Sequence, residues 1–348
     1  MAEIKNLGEL AKSFAVKRLP DSEVEITGEV PFDVVAPYRE HALVEIAESL
    51  ELPGFRKGKV PTDMALKKVG EMAVLEEAVE HVMRDLYPEI VEAHKLDVVA
   101  RPDIRVTKLA PNNPIALTIL TALYPEVTLP KNYKKIGESI TLETALPATD
   151  EELNQTLEQL RQSRKTKKED GSEVVPELTD EFAKSIGAFE NLNALKTQIK
   201  KGITEEKQRA AKDARRGKIV EALLEKTDAE IPKVFIESEL DKIINQMRED
   251  VSRFGLTLEG YLTQTKKTEE QVRGEFRDQA KKRAKLQLAL NKIAAEEKVE
   301  ANKEEIETEM KHALEHFPDA RPELVRIHIE TVMRNEKTLQ LLEGTETK

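Results

Sequence analysis

The sequence contains no cysteine and no tryptophan, and aromatic residues make up only 4% of its 348 positions. The absence of cysteine excludes disulfide bonds, thiolate metal sites and cysteine nucleophiles. No apolar run approaches the roughly 18 residues of a membrane span, and the first residues lack the pattern of a signal peptide. A cytoplasmic protein without membrane contact is therefore expected, and its 35% of charged residues predict a thin core beneath long, solvated helices.

Glycine is also scarce, at 14 residues, and neither a phosphate-binding glycine loop nor a G-x-S-x-G nucleophile elbow occurs. No cofactor is expected. The net charge of -11 argues against a general nucleic-acid binder, because affinity for phosphates depends on a local excess of Lys and Arg. The basic stretches 161–168 and 279–287 could contact RNA, but solvated helix faces and linkers have the same composition.

The sharpest enzymatic motif is HALEH, with His312 and His316 four residues apart. This H-x-x-E-H form is the zinc-binding motif of inverted zincins, in which a glutamate acts as the base. Only 32 residues follow His316, which leaves little chain for a third ligand and a catalytic domain. We therefore favour a chance pairing of two histidines on a glutamate-rich helix, and we expect no metal.

The first 130 residues predict a mixed α+β domain. Two stretches alternate apolar and polar residues as half-buried strands do, and three helical stretches lie between them, near 38–50, 61–70 and 72–88. Pro37 and Pro88 leave the start of the first helix and the continuity of the third uncertain. The inward-facing strand residues are Val24, Ile26 and Val30 in the first strand, and Ile115, Leu117, Ile119 and Leu123 in the second.

The middle of the chain is less regular. KIGESITLE, residues 135–143, is compatible with a strand, and Thr149 with Glu152 forms a capping box that opens a helix. Residues 161–176 are polar and contain the turn signal Asp170–Gly171, which predicts a linker or exposed loop.

From about Glu177 onward the sequence predicts helices only. One apolar stripe predicts a helix that ends at Gly255. A capping box of Thr268 and Gln271 predicts the start of a second helix, longer than twenty-five residues. Two more helices are predicted at 302–317 and 322–342. The residues of the stripe are Ile236, Leu240, Ile243, Met247, Val251 and Phe254.

The stretch LPGFRKGKVPTD, residues 52–63, separates two predicted helices and carries an unusual mixture of side chains. Exposing a phenylalanine costs about 1.5–3 kcal/mol relative to burying it. Phe55 therefore either plugs the local helix pair or anchors a partner. The adjacent cations Arg56, Lys57 and Lys59 suit a partner that is part protein and part RNA phosphate. The residues alone leave both alternatives open.

The motif PGFRKGKVP, residues 53–61, resembles the ribosome-docking signature of bacterial trigger factor, a ribosome-associated chaperone. ALYPEVTLP and VPELTDEFAKSIG are similar to the family's segments that flank its middle region. The resemblance implies that Gly54, Phe55, Arg56, Lys57, Gly58 and Lys59 dock at the large ribosomal subunit, on a ribosomal protein and rRNA near the exit tunnel. It also implies that nascent chains are shielded during folding or export.

The resemblance further implies an α+β ribosome-binding domain at 1–130 and an elongated all-α chaperone body with arm-like helices at 177–348. The family's FKBP-type prolyl isomerase domain would lie within 131–176. A domain needs at least about 50 residues, so this domain is expected to be missing and the chain is expected not to be an enzyme. Whether its loss is natural or engineered stays open.

Client binding in such a body needs scattered apolar and adaptable side chains rather than a catalytic residue. The expected contacts, each of which could equally fill the core, are Phe235, Met247, Phe254, Met310, Phe317 and Met333. The charge-rich helices alone would also fit a ribosome-independent cytosolic holdase or a helical scaffold protein. A periplasmic chaperone is disfavoured by the missing signal sequence, and a homodimer away from the ribosome is left open.

Overall fold

A computed structural model describes residues 7–56, 58–167 and 173–345. The helices are α1 (Leu7–Lys12), α2 (Phe32–Ser49), α3 (Thr62–Val69), α4 (Glu71–Ala93), α5 (Ile136–Ser139), α6 (Asp150–Ser163), α7 (Asp180–Ile186), α8 (Leu192–Lys226), α9 (Lys233–Arg253), α10 (Leu258–Thr265), α11 (Glu269–Glu297), α12 (Lys303–His316) and α13 (Pro322–Glu343). The strands are β1 (Ala15–Arg18), β2 (Glu23–Val30), β3 (Asp103–Lys108), β4 (Ile115–Ala122), β5 (Val127–Thr128), β6 (Thr166–Lys167), β7 (Glu173–Val174) and β8 (Asp228–Ala229).

The N-terminal region contains a four-stranded antiparallel sheet in the order β1-β2-β4-β3. Ile26 of β2 pairs with Ile119 of β4, and both side chains are fully buried. Because successive strand residues point to opposite faces, this register places the alternating apolar residues of both strands on one face. The predicted strands, and the α+β class of this region, are confirmed.

Helices α2 and α4 cover the buried face of the sheet and form one core with it. Helix α2 begins at Phe32, so Pro37 lies inside it, and α4 continues through Pro88. Val35 is buried in the core and Phe32 packs against it, which holds the first turns of α2 in place despite the proline. The uncertainty left by the two prolines is thus settled: the first helix begins before the stretch predicted near 38–50, and neither proline interrupts its helix.

The described chain divides into two compact units, residues 1–128 with 228–285, and residues 129–227 with 286–348. In the first unit, β5 pairs with β8 through Val127 and Ala229, and α9, α10 and the start of α11 share a small core. The pairing of β8 corrects the expectation of helices only after Glu177. The predicted domain boundaries at residues 130 and 176 separate the functions that the family resemblance implies, and they do not describe compact packing units. These boundaries stay a prediction.

The apolar stripe of α9 is confirmed up to its last residue. Ile236, Leu240 and Ile243 are buried, whereas Phe254 caps the C-terminus of the helix and is 83% exposed. Gly255 follows with a φ of 73°, a left-handed conformation that favours glycine. The stop was predicted correctly, but Phe254 does not belong to the buried stripe.

In the second unit, residues 133–139 form a 3₁₀ turn followed by α5, so the expectation of a strand at 135–143 was wrong. Ile136 and Tyr133 are buried in a core with α8, α11 and α13, and this tertiary packing overrides the local preference for a strand. Both predicted capping boxes are present, at Thr149 and at Thr268.

The predicted linker at 161–176 includes regular structure among its described residues. Its first residues extend α6, and β6 pairs antiparallel with β7. The turn signal Asp170–Gly171 lies outside the described residues. Across the described part of the chain, no helix is both long enough and apolar enough to cross a membrane.

Candidate functional site

The loop between α2 and α3, residues 50–61, is built from two tight turns. The backbone N–H of Phe55 donates to the carbonyl of Leu52 at 3.1 Å, and that of Lys59 donates to the carbonyl of Arg56 at 3.0 Å. Gly54 and Gly58 have φ values of 89° and 76°, which residues with a side chain rarely adopt. The two glycines therefore give the loop its fold.

The base of the loop has an apolar cluster of its own. Val60 is 7% exposed and packs with Ala47 of α2 and Ala65 of α3. The surrounding partly buried residues are Leu43, Leu50 and Leu52. Phe55 does not belong to this cluster and remains 38% exposed. Val60, rather than Phe55, thus plugs the helix pair.

The side chains beside Phe55 are cationic and exposed. Arg56 and Lys59 face solvent, whereas Gly58 is half-buried. Lys57 lies outside the described residues. Residues 50–61 contain one carboxylate, Glu51, and no histidine or hydroxyl group, so the sequence of the loop lacks the pairing of a hydroxyl nucleophile or a histidine with a second acid–base group that catalysis commonly uses. Its chemistry fits binding to a polyanionic surface that also offers an apolar pocket.

The three client-contact candidates of the first unit have different environments. Phe235 is half-buried and packs edge-to-face on Tyr124, with ring centroids 6.2 Å apart. Met247 is half-buried against the core shared by α9 and α10. Phe254 alone among them is largely exposed. Phe235 and Met247 therefore contribute to packing, and Phe254 is available for contact.

The three candidates of the second unit lie on or next to α12 and α13. Phe317 follows α12 and is 69% exposed, whereas Met310 and Met333 are half-buried. Met333 lines a groove of about 560 Å³ between the two helices, together with His328, Ile329 and Val332. This groove is partly apolar and open, as a weak binding surface requires.

Sequence reasoning missed three exposed apolar residues on α13. Leu324, Ile327 and Val332 are 52%, 60% and 53% exposed. Their spacing of three and five residues was already visible, but a sequence cannot show which face of a helix lacks a neighbour. The pattern alone is also that of a buried stripe.

The HALEH motif lies at the C-terminal end of α12, and both of its histidines are exposed. Within the described residues, neither His312 nor His316 belongs to a group of three side chains that could hold a metal ion. The geometry therefore gives the zinc-protease hypothesis no third ligand.

Two protein-family models match most of this chain. The family model described as bacterial trigger factor protein matches residues 12–160. The model described as bacterial trigger factor protein C-terminus matches residues 191–342.

Curated relatives and a solved structure agree with these matches. The chain is 24% identical to a trigger factor of Caldicellulosiruptor bescii, covering 85% of this chain and 86% of the relative. It is 25% identical to a trigger factor of Caldanaerobacter subterraneus, covering 87% and 89%. A solved structure of the trigger factor chaperone superposes with a TM-score of 0.53 at 20% identity, covering 95% of this chain and 100% of that one. At that identity, the superposition shows a shared fold.

Proposed function

The chain belongs to the bacterial trigger factor family, and from this we propose that it is a ribosome-associated molecular chaperone. It docks near the nascent-chain exit of the large ribosomal subunit and shields newly made polypeptides in the cytoplasm. Family membership rests on matches to residues 12–160 and 191–342. The docking itself is supported by the loop between α2 and α3.

The observation that carries docking is the exposed Phe55 on a turn that is already formed. Because Val60 fills the base of the loop, Phe55 is free to enter a pocket on a partner. Arg56 and Lys59 beside it attract phosphates, and Lys57 adds a third cation to the sequence of the loop. The two backbone hydrogen bonds of the turns are already made, which lowers the entropy that this backbone loses on docking.

We propose that residues 1–130 carry ribosome binding, that 131–176 mark the place of the missing isomerase, and that 177–348 bind clients. Phe254 and Phe317 are the two candidates with mostly exposed rings, and the half-buried Met310 and Met333 supply adaptable contacts. Phe235 and Met247 contribute mainly by shaping α9. Client contact is thus distributed, weak at each point, and reversible.

We also propose that the chain has no prolyl isomerase activity. The two family matches leave only residues 161–190 between them, and the described residues of this stretch include the end of α6, the short strands β6 and β7, and α7. The alignment with the Caldicellulosiruptor bescii relative spans 383 positions but includes only 85% of the 348 residues of this chain. Close to ninety positions of the relative therefore have no counterpart in the aligned part of this chain. That is the size of a small domain.

Co-sedimentation with non-translating ribosomes tests the docking. We expect the wild-type chain to pellet at low salt and to dissociate as salt rises, since ionic contacts are screened. The triple variant Phe55→Ala/Arg56→Ala/Lys57→Ala should bind at least about tenfold more weakly, because it loses an anchor and two cations.

The matched control removes the same three residue types elsewhere. Phe254→Ala/Arg253→Ala/Lys266→Ala changes three exposed residues outside both basic stretches and should pellet like the wild type. If the wild-type chain stays in the supernatant at low salt, or if both triple variants bind equally, the docking proposal fails and a ribosome-independent holdase becomes the better description.

A further inference from the structure

Two histidines and two glutamates from α2 and α4 face one another in the N-terminal region. His41 and Glu45 are four residues apart on α2, and Glu77 and His81 are four residues apart on α4. Residues at this spacing share one face of a helix. Since α2 and α4 pack against each other, the two faces meet.

The side-chain atoms of this cluster converge. The two carboxylate oxygens of Glu45 lie 3.5 Å from His41 Nδ1 and 3.1 Å from His81 Nε2. Ligand atoms of these three residues all lie within 4.8 Å of one another. Glu77 Oε1 approaches the same nitrogen of His81 to 3.4 Å. Nitrogen and carboxylate donors from two helices thus surround one small volume.

We propose that His41, Glu45 and His81 form a zinc-binding site; Glu77 contacts His81 but is not one of the three converging residues, and a fourth ligand from it requires its carboxylate to turn toward the ion. Two histidines and a glutamate are a common zinc ligand set, and the donors of a tetrahedral zinc lie about 3.3 Å apart. The two contacts of Glu45 are close to that value, although they use different oxygens: Oε1 lies 3.5 Å from His41 Nδ1 and Oε2 lies 3.1 Å from His81 Nε2. Coordination of one ion requires the three ligand atoms, which lie within 4.8 Å of one another, to draw closer together.

Burial favours the site as well. The His81 side chain is only 10% exposed, so its ring is held in place before the metal binds, and little freedom is lost. Glu45 and His41 are 48% and 66% exposed, which leaves an open path for the ion. Without a metal, His81 Nε2 still contacts the carboxylates of Glu45 and Glu77, at 3.1 and 3.4 Å, and a zinc titration distinguishes metal binding from these contacts alone.

The place of the cluster gives the metal a structural effect. Helix α2 ends at Ser49, immediately before the loop that carries Phe55. An ion bound to both helices would clip α2 to α4 and stabilise the pair from which this loop projects. The site itself does not depend on ribosome docking, and it is measured on the isolated chain.

Isothermal titration of the full chain with zinc chloride, after removal of any polyhistidine tag and all metal, tests the proposal. We expect one zinc per chain, with a Kd at or below roughly 1 μM, and a higher melting temperature in the presence of zinc. Cobalt at the same site should give the visible absorption of tetrahedral coordination. His41→Gln and Glu45→Gln should each weaken zinc binding at least about 100-fold, because each removes a ligand.

The control uses the two histidines of α12, which lie outside the proposed site. His312→Gln/His316→Gln removes two exposed histidines spaced four apart and should leave zinc affinity unchanged. His41 and Glu45 are exposed, so their variants should fold, as circular dichroism would verify. Absence of stoichiometric binding, unchanged binding in His41→Gln, or binding lost only in the His312/His316 variant would overturn the proposal.

Discussion

Gly137 lies against the last turn of α13, where a larger side chain has no room. A Cβ atom at this position would lie 2.0 Å from the carbonyl oxygen of Leu342. Arg215 of α8 ties the same place together by donating to the carbonyls of Gly137 at 2.7 Å, Ile140 at 2.8 Å and Glu343 at 3.2 Å. Glycine at this position therefore permits α5 to dock on α13.

We expect Gly137→Ala to lower the free energy of unfolding by about 1–3 kcal/mol, because the contact is with backbone and cannot be relieved by a side-chain rotation. Gly202→Ala is the matched control. Gly202 lies inside α8 with no atom within 4 Å of an added Cβ, so alanine there should stabilise the chain by about 0.5–1 kcal/mol. Urea unfolding followed by far-ultraviolet circular dichroism measures both. Equal stability of the two variants would contradict this account of Gly137.

At the scale of single residues, the sequence predicted which side chains are chemically notable better than it predicted which neighbours surround them. It identified Phe55 as either a plug or an anchor, but only the structure places Val60 in the plug position. The sequence also gave no reason to join His41 to His81, which lie forty residues apart. Their proximity depends on how α2 and α4 are rotated about their axes, which local patterns do not specify.

Helices α8 and α13 are joined by an ion network centred on Arg216. Its guanidinium binds both oxygens of Glu336, at 2.8 and 2.9 Å, and also pairs with Glu343. The Arg216 hydrogen bonds hold the pKa of Glu336 below its ordinary value. Glu343 is 13% exposed, which reduces the screening of its charge by water.

We expect Arg216→Met to lower the free energy of unfolding at pH 7 by about 1–2 kcal/mol, a modest value because Glu336 is 44% exposed. A carboxylate with a lowered folded pKa stabilises the protein above its unfolded pKa of about 4.3. This contribution is lost as the pH falls through the folded value. The stability difference between wild type and variant should therefore shrink when the pH is lowered from about 7 to below about 4.

Urea unfolding at several pH values measures that difference. Arg209→Met, which changes an exposed arginine of the same helix, should show little loss at any pH. A penalty for Arg216→Met that stays constant across the pH range would mean that packing of the arginine stem, rather than its charge, joins the two helices.

At the scale of elements, helices with clear stops were predictable and short extended pieces were not. Capping threonines marked the starts of α6 and α11, because their side chains satisfy unpaired backbone N–H groups. A glycine marked the end of α9, because it adopts the left-handed conformation that stops a helix. In contrast, β5 and β8 are two-residue strands that pair across a hundred positions of sequence. A strand of that length has no periodicity to detect. The helical turns at 133–139 depend on partners in α8, α11 and α13.

At the scale of the whole molecule, the net charge and the local charge of the loop between α2 and α3 have opposite signs and different effects. The net charge of -11 disfavours indiscriminate adsorption to RNA, whereas the loop carrying Arg56 and Lys59 is a local cationic exception. Composition alone predicted this contrast. The joining of residues 228–285 with 1–128 in one compact unit could not be predicted from the sequence, because it depends on long-range packing.

The last prediction concerns the whole chain as a chaperone without an isomerase. We expect it to suppress aggregation of a denatured client, and we expect Phe254→Ser/Phe317→Ser to reduce suppression by about twofold, since distributed contacts each contribute little. The same preparation should not accelerate proline isomerisation in a protease-coupled peptide assay. A full-length relative that carries the isomerase domain is the positive control, and aggregation suppression shows that the sample is folded. A rate enhancement comparable to that relative would mean that residues outside the missing domain can isomerise proline, and the proposed loss of activity would be wrong.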